Sequence, residues 1–233
     1  MEKKLVIALD GLNLEDCTNL LRKVGDRVFA CKIHDLWDRH GPSVVSRFTT
    51  THNPQKLWVD LKLIDIPNTV GLRAKAVREA GANILTVMAS GEIEMMMAAV
   101  KNGPEMILGV TELTSLTEEQ VHLHSGQPRK ASVLQLARNA KLAGLHGLVC
   151  STNEVGMLAK RPELKGMILV VPGVRSPGKD VQDQNQVDTP ANTIRAGADY
   201  LVIGREVTQA VDPLAALDNI ERQIEEALAD TQA

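Results

Sequence analysis

"LWVDLKLIDIPNTVGLRAKAVREAGANILTVMA", residues 57–89, contains one complete strand, helix and strand. Two short apolar runs, 57–63 and 83–89, flank a segment at 67–80 where Ala, Leu, Glu, Lys and Arg recur with helical spacing. The join "REAGAN" at 78–83 ends a helix at glycine and starts the next strand after a short loop. "LAGLHG" and "IRAGAD" repeat that join, and further apolar runs lie at 5–10, 28–34, 106–111, 147–151, 167–173 and 200–205. Helical spacing also marks 14–25, 92–101, 131–143 and 214–229. Near-continuous apolar strands alternating with helices imply a parallel sheet covered on both faces, and eight such units favour closure. The chain has 233 residues, near the roughly 250 typical of this architecture. The expectation is an α/β protein: a single-domain (β/α)8 TIM barrel over residues 1–233, with no linker dividing it.

Composition narrows the partners. A formal net charge of -3 offers no broad basic field for nucleic acid or an anionic membrane, so any phosphate site must be local. Two Phe, two Trp and one Tyr leave few stacking platforms for single strands, which argues against nucleic acid as a partner. Cys17, Cys31 and Cys150 are odd in number and widely spaced, which suits small core residues in a reducing compartment. The first apolar run stops at Asp10 and no apolar segment reaches membrane-spanning length, so the expected location is cytoplasmic.

Within 57–69, the charges Asp60, Lys62 and Asp65 interrupt an otherwise buried pattern. Side chains alternate along a strand, so Asp60 and Lys62 share one face while Leu61 and Leu63 point to the other, against the helices. Active sites of this fold lie at the C-terminal ends of the strands. Asp10 closes the first run, Lys32 lies near the end of the second, Asp60 and Lys62 end the third, and Asp65 follows in a loop. Unpaired buried charges cost several kcal/mol, so an alternating Asp-Lys-Asp-Lys cluster is more economical than four separate charges. In such a cluster the carboxylates favour the charged form of the lysines, which points to an acid and not a Schiff-base nucleophile.

A second constellation follows the seventh and eighth strands: "VVPGVRSPGKDVQDQNQVDTP" at 170–190 and "IGREVTQA" at 203–210. These loops form the usual phosphate site of the fold. Arg175 and Arg205 are the expected clamps, and Gly173 and Gly204 allow backbone N–H groups to approach an anion. His122 and His124 sit in an expected loop or helix start without an adjacent acidic partner, so they are read as solvated, and no metal site is assigned. Met95 to Met97 are read as helix packing.

Together these residues resemble the orotidine 5'-phosphate decarboxylase family over nearly the whole chain. The resemblance rests on "ALD" at 8–10, "DLKLIDIPNTV" at 60–70, "VTELTS" at 110–115, "PGVRSPG" at 172–178 with "DQ" at 183–184, and "GADYLVIGR" at 197–205. It implies decarboxylation of orotidine 5'-phosphate to uridine 5'-phosphate, the last step of de novo pyrimidine synthesis, without metal or organic cofactor. It further implies that Lys62 delivers a proton to C6 of the pyrimidine. Asp60 and Asp65 flank the reacting carboxylate and Lys32 completes the charged network, with Asp65 entering the neighbouring subunit's site in a homodimer. By the same resemblance Asp10 and Lys32 contact the ribose, Thr69 lies near the dimer seam and Thr114 contacts the base. Gln184 contacts base or phosphate, and Arg175, Gly204 and Arg205 hold the phosphoryl group. The related Mg2+-dependent sugar-phosphate aldolases and decarboxylases share the DxKxxD core, but an acidic residue is expected there where this chain has Lys32. A barrel that only binds nucleotides or phosphates is the non-enzymatic alternative.

Overall fold

A computed structural model describes residues 3–49, 56–177 and 188–232. Eight parallel strands pair in chain order and the last closes on the first: β1 (Leu5–Ala8), β2 (Ala30–Ile33), β3 (Lys56–Leu63), β4 (Ile84–Met88), β5 (Met106–Val110), β6 (Gly147–Val149), β7 (Ile168–Pro172) and β8 (Tyr200–Ile203). The barrel expected from the sequence is present. After β1 comes α1 (Leu14–Val24), and β2 is followed by α2 (Asp35–His40) and α3 (Ser43–Thr49). After β3 and β4 come α4 (Pro67–Glu79) and α5 (Glu92–Asn102), and β5 is followed by α6 (Glu118–Ser125) and α7 (Arg129–Leu142). The circuit ends with α8 (Thr152–Ala159) after β6, α9 (Pro190–Arg195) after β7, and α10 (Arg205–Thr208) with α11 (Pro213–Gln232) after β8. No helix among the described residues is long and apolar enough to cross a membrane.

Local chemistry sets the boundaries. The Asn13 side chain accepts from the Asp16 amide to start α1, and reciprocal capping boxes start α6 at Thr117 and α8 at Ser151. In the three repeated joins the chain reverses through a glycine at positive φ: Gly81 at 94°, Gly144 at 79° and Gly197 at 109°. Except for β3, the paired strands are shorter than the apolar runs at their C-terminal ends; β1, for example, stops at Ala8, leaving Asp10 on the rim.

Strand alternation sorts two apolar layers. Val6, Ala30, Trp58, Ile84, Leu108, Val149, Val170 and Val202 fill the barrel interior. Their outward neighbours, such as Ile7, Cys31, Val59, Leu85 and Val171, pack beneath the helices. Cys17, Cys31 and Cys150 are all buried, and burial pushes the Cys17 thiol up to about 12, so they are inert core residues. The methionine run divides: Met95 and Met96 are buried, but Met97 is 53% exposed on the solvent side of α5 and does not pack as expected.

One close approach decides a residue type. A Cβ at Gly147 would lie 2.4 Å from the Ile168 carbonyl oxygen and 2.8 Å from the Ile168 Cβ. Backbone in a closed barrel cannot yield there without breaking the β6–β7 ladder. Gly147→Ala is expected to lower the urea midpoint by the equivalent of about 1–3 kcal/mol with an unchanged slope. An unaltered midpoint would show that the ladder accommodates the methyl group.

Candidate active site

The polar counterpart of the barrel interior begins one strand position above its apolar floor. On β2 Lys32 follows Ala30 on the inner face, on β3 Asp60 follows Trp58, and on β4 Thr86 follows Ile84. Lys32, Asp60 and Thr86 are all buried. The Lys32 ammonium lies 2.7 Å from Asp10 Oδ2 and 3.2 Å from Asp60 Oδ2, and Lys62 Nζ donates to Asp60 Oδ2 at 2.8 Å. Asp10, Lys32, Asp60 and Lys62 therefore form one continuous chain of alternating charge.

Thr86 completes the arrangement and was not legible as a site residue. Its hydroxyl donates to Asp60 Oδ1 at 2.6 Å and accepts from the Lys62 amide at 3.2 Å. That amide is available because the β3–β4 register shifts between Val59 and Leu63, and Lys62 takes a left-handed φ of 47°. Alternation foresaw the shared face of Asp60 and Lys62, but it implied an unbroken extended strand. The observed bulge and left-handed residue correct that expectation, at a backbone cost of order 1–3 kcal/mol for a non-glycine residue.

Burial alone would drive both members of the central pair toward neutrality. For Asp60 the opposing fields of Lys32 and Lys62, with hydrogen bonds from Lys62 and Thr86, outweigh desolvation and lower its pKa to about 2. For Lys32 desolvation is again the largest single influence, but Asp60 and Asp10 together overcome it and raise its pKa. The pair is thus held ionised in a place where an isolated charge would not survive.

These groups line a cavity of about 530 Å3 at the C-terminal mouth, with Trp58 at its base. Thr114, from the β5–α6 connection, forms part of one wall, and Arg175, Gly204 and Arg205, from the β7 and β8 connections, form another. Gly204 directly precedes α10, and the Gly173 turn has φ 75°. Arg175 is buried; its Nη1 donates to the Val174 carbonyl at 2.8 Å, and its amide donates to the Asp188 carbonyl at 3.1 Å. The Ser176 amide donates to Glu206 Oε2 at 3.1 Å, tying the two arginine-bearing loops together.

Of the residues expected in the site, the structure brings together Asp10, Lys32, Asp60, Lys62, Thr114, Arg175, Gly204 and Arg205 around that cavity. Asp65 and Thr69 do not line it. Asp65 is exposed, its carboxylate accepting from the Ile66 amide at 2.7 Å, and Thr69 is half-buried on α4. Gln184 lies outside the described residues. Two supporting residues were missed: His34 Nδ1 donates to the Asp60 carbonyl at 2.8 Å, and Asp35 Oδ1 accepts from the Gly11 amide at 3.2 Å. The reading of His124 as lacking an acidic neighbour is corrected. It sits in the last turn of α6 with Nε2 3.1 Å from Glu112 Oε2. The two residues are 12 apart in sequence, which hid the contact.

A model of the orotidine 5'-phosphate decarboxylase / HUMPS family matches residues 3–220. A Streptococcus thermophilus protein named orotidine 5'-phosphate decarboxylase is 38% identical over 229 residues, covering 95% of this chain and 97% of the relative. One of the same name from Nitrosococcus oceani is 39% identical, covering 96% and 99%. The crystal structure of orotidine 5'-phosphate decarboxylase from Lactobacillus acidophilus superposes with a TM-score of 0.79 at 32% identity, covering 96% and 99%.

The charge chain makes stability depend on pH with a definite sign. The folded pKa of Asp60 is depressed, so its contribution is full above its unfolded value of 3.8 and is lost as the pH falls through about 2. Lys32 is raised, so its contribution is full below 10.5 and lost only as the pH rises through its higher folded value. Between pH 4 and 2 the unfolding free energy of the native protein is expected to fall by of the order of 2 kcal/mol more than that of Asp60→Asn. Parallel curves from urea titrations would overturn this assignment.

Proposed function

The chain belongs to the orotidine 5'-phosphate decarboxylase / HUMPS family, and from that premise we propose that it decarboxylates orotidine 5'-phosphate to uridine 5'-phosphate and CO2. It would thus act as a cofactor-independent, single-domain carboxy-lyase at the last step of de novo pyrimidine synthesis. The observation that carries the reading is the Asp10, Lys32, Asp60, Lys62 chain at the base of a cavity whose far wall holds Arg175 and Arg205. The arginine forks suit phosphoryl oxygens, Gly204 leaves room beside them, and Asp10 and Lys32 are placed for the ribose hydroxyls. Thr114 faces the base, and the family resemblance assigns Gln184 to base or phosphate.

Loss of CO2 breaks the bond between C6 and the carboxylate carbon and leaves the electron pair in an sp2 orbital at C6. The pyrimidine ring cannot delocalise that pair. Lys62 supplies positive charge where it develops and then its proton to C6. Asp60, itself anchored by Lys32, holds the ammonium in place before reaction, so little reorganisation is needed in the transition state. Asp65 completes the site from a partner subunit. In the single chain it stands between Ile64 and Ile66, which are 54% and 65% exposed, and Leu72 on the following helix is exposed as well. Apolar residues left in water beside a site residue support a homodimer seam with Thr69 close to it.

The Mg2+-dependent branch of the family is the second reading. Lys32, ion-paired to both Asp10 and Asp60, puts a cation where that chemistry needs a carboxylate to hold metal. With EDTA present, purified protein is expected to consume orotidine 5'-phosphate, followed by ultraviolet absorbance, and Lys62→Ala to lose at least about 10³-fold in kcat. Sugar-phosphate turnover that requires Mg2+, without decarboxylation, would favour the second reading. Substrate binding without either turnover would leave a binding protein. Mixed and re-paired Lys62→Ala and Asp65→Asn subunits should recover roughly a quarter of native activity, because a heterodimer has one intact site. No recovery would exclude Asp65 acting across the seam.

A further inference from the structure

Thr114 contributes to the cavity wall from a stretch at the protein surface. Leu113 and Ser115 on either side of Thr114 are exposed, so apolar burial does not fix this stretch. It is a tight turn closed by the Leu116 amide donating to the Leu113 carbonyl at 3.1 Å. Beneath it lies Arg129, the first residue of α7, only 5% exposed. Its Nη2 donates to the Leu113 carbonyl at 3.0 Å and its Nη1 to the Leu116 carbonyl at 2.9 Å, the two ends of the turn that presents Thr114. Its Nε donates to Glu154 Oε1 at 2.5 Å, and Glu154, 2% exposed, uses Oε2 to accept from the Ser151 amide at the start of α8.

Resting on the nucleotide reading above, we propose that Arg129, neutralised by Glu154, is a positioning residue that fixes the base-side wall of the active site through the Leu113–Leu116 turn. A buried ion pair is a poor source of stability, since an apolar pair of similar volume often serves a fold as well. Its distinctive capacity here is geometric. A planar guanidinium holds two carbonyls and a carboxylate at once, which neither a hydrocarbon nor a lysine ammonium on one flexible stem reproduces. The same turn is anchored on its N-terminal side by Glu112, whose Oε1 accepts from Ser132 Oγ at 2.5 Å, also from α7. Helix α7 therefore sets where Thr114 stands, while the arginines of the opposite wall depend on β7, β8 and α11. Ser176 of the β7 loop accepts there from Gln223 Nε2 at 2.9 Å.

Two independent frames predict separable losses. Arg129→Lys keeps a cation opposite Glu154, and Arg129→Met with Glu154→Gln removes both charges together, so neither leaves an unpaired buried ion. In both variants kcat/KM for orotidine 5'-phosphate should fall by on the order of tenfold to a hundredfold, the scale of a misplacement near 1 Å. The inhibition constant of ribose 5-phosphate, which lacks the base, should change less than about twofold. In the unaltered protein the Leu116 amide should exchange with solvent slowly despite its exposed neighbours, a measurement that needs no variant. Equal losses for both ligands, full activity in Arg129→Lys, or rapid Leu116 exchange would each overturn the inference. If the native protein fails to turn over orotidine 5'-phosphate, the functional reading falls and takes this proposal with it. Native turnover with equal losses removes the proposal alone.

Discussion

Asp60 is a carboxylate almost wholly withdrawn from water, and the rest of the site follows from that constraint. A charge buried at the top of an apolar barrel survives only with partners close enough to offset lost hydration. Lys32, Lys62 and Thr86 supply them, and His34 braces the backbone carbonyl of the same residue. Lys62 Nζ is held at 2.8 Å by Asp60 Oδ2, and Asp60 is itself anchored by Lys32 and Thr86. The ammonium that is proposed to meet C6 is therefore fixed before any ligand arrives, which is the condition under which electrostatic stabilisation is most effective.

The barrel makes this possible by separating two tasks along each strand. Lower inner positions are filled by Val6, Ala30, Trp58 and Ile84, a dry floor that stabilises the fold. The next inner positions on β2, β3 and β4 carry Lys32, Asp60 and Thr86, so a two-residue step along the strand changes packing into chemistry. Loops above this level have less apolar burial, and buried polar contacts hold them instead. Arg129 and Glu154 hold the connection after β5, while Ser176 and Glu206 link those after β7 and β8.

What could be read from the chain alone followed its local physics. Near-continuous apolar runs and helical spacing, with glycine at three of the joins, revealed the eight units because those signals span a few neighbouring residues. The common face of Asp60 and Lys62 was legible for the same reason. Thr86 was not, since its role depends on a register shift between β3 and β4 and on a partner 26 residues away. Arg129 was equally hidden: in sequence it is one more basic residue starting a helix, and only the closed barrel brings it beneath Leu113 and Leu116. His124 misled because a histidine without an adjacent acidic residue still met Glu112, 12 residues earlier in the chain.

The DxKxxD stretch is therefore divided by geometry and, in the proposed mechanism, by function as well. Asp60 and Lys62 turn inward on either side of Leu61, and the left-handed residue at Lys62 bulges β3 just before its last paired residue, Leu63. The chain then runs along the rim through Ile64, Asp65 and Ile66, all exposed, before Pro67 opens α4. An exposed carboxylate is screened by water and exerts little force on a reacting centre. In the proposed dimer, burial of Ile64 and Ile66 would remove that water and strengthen the field of Asp65 at the partner's cavity. One short stretch would then supply a charge to its own site and another to its neighbour's, and the apolar residues between them would make the second charge count.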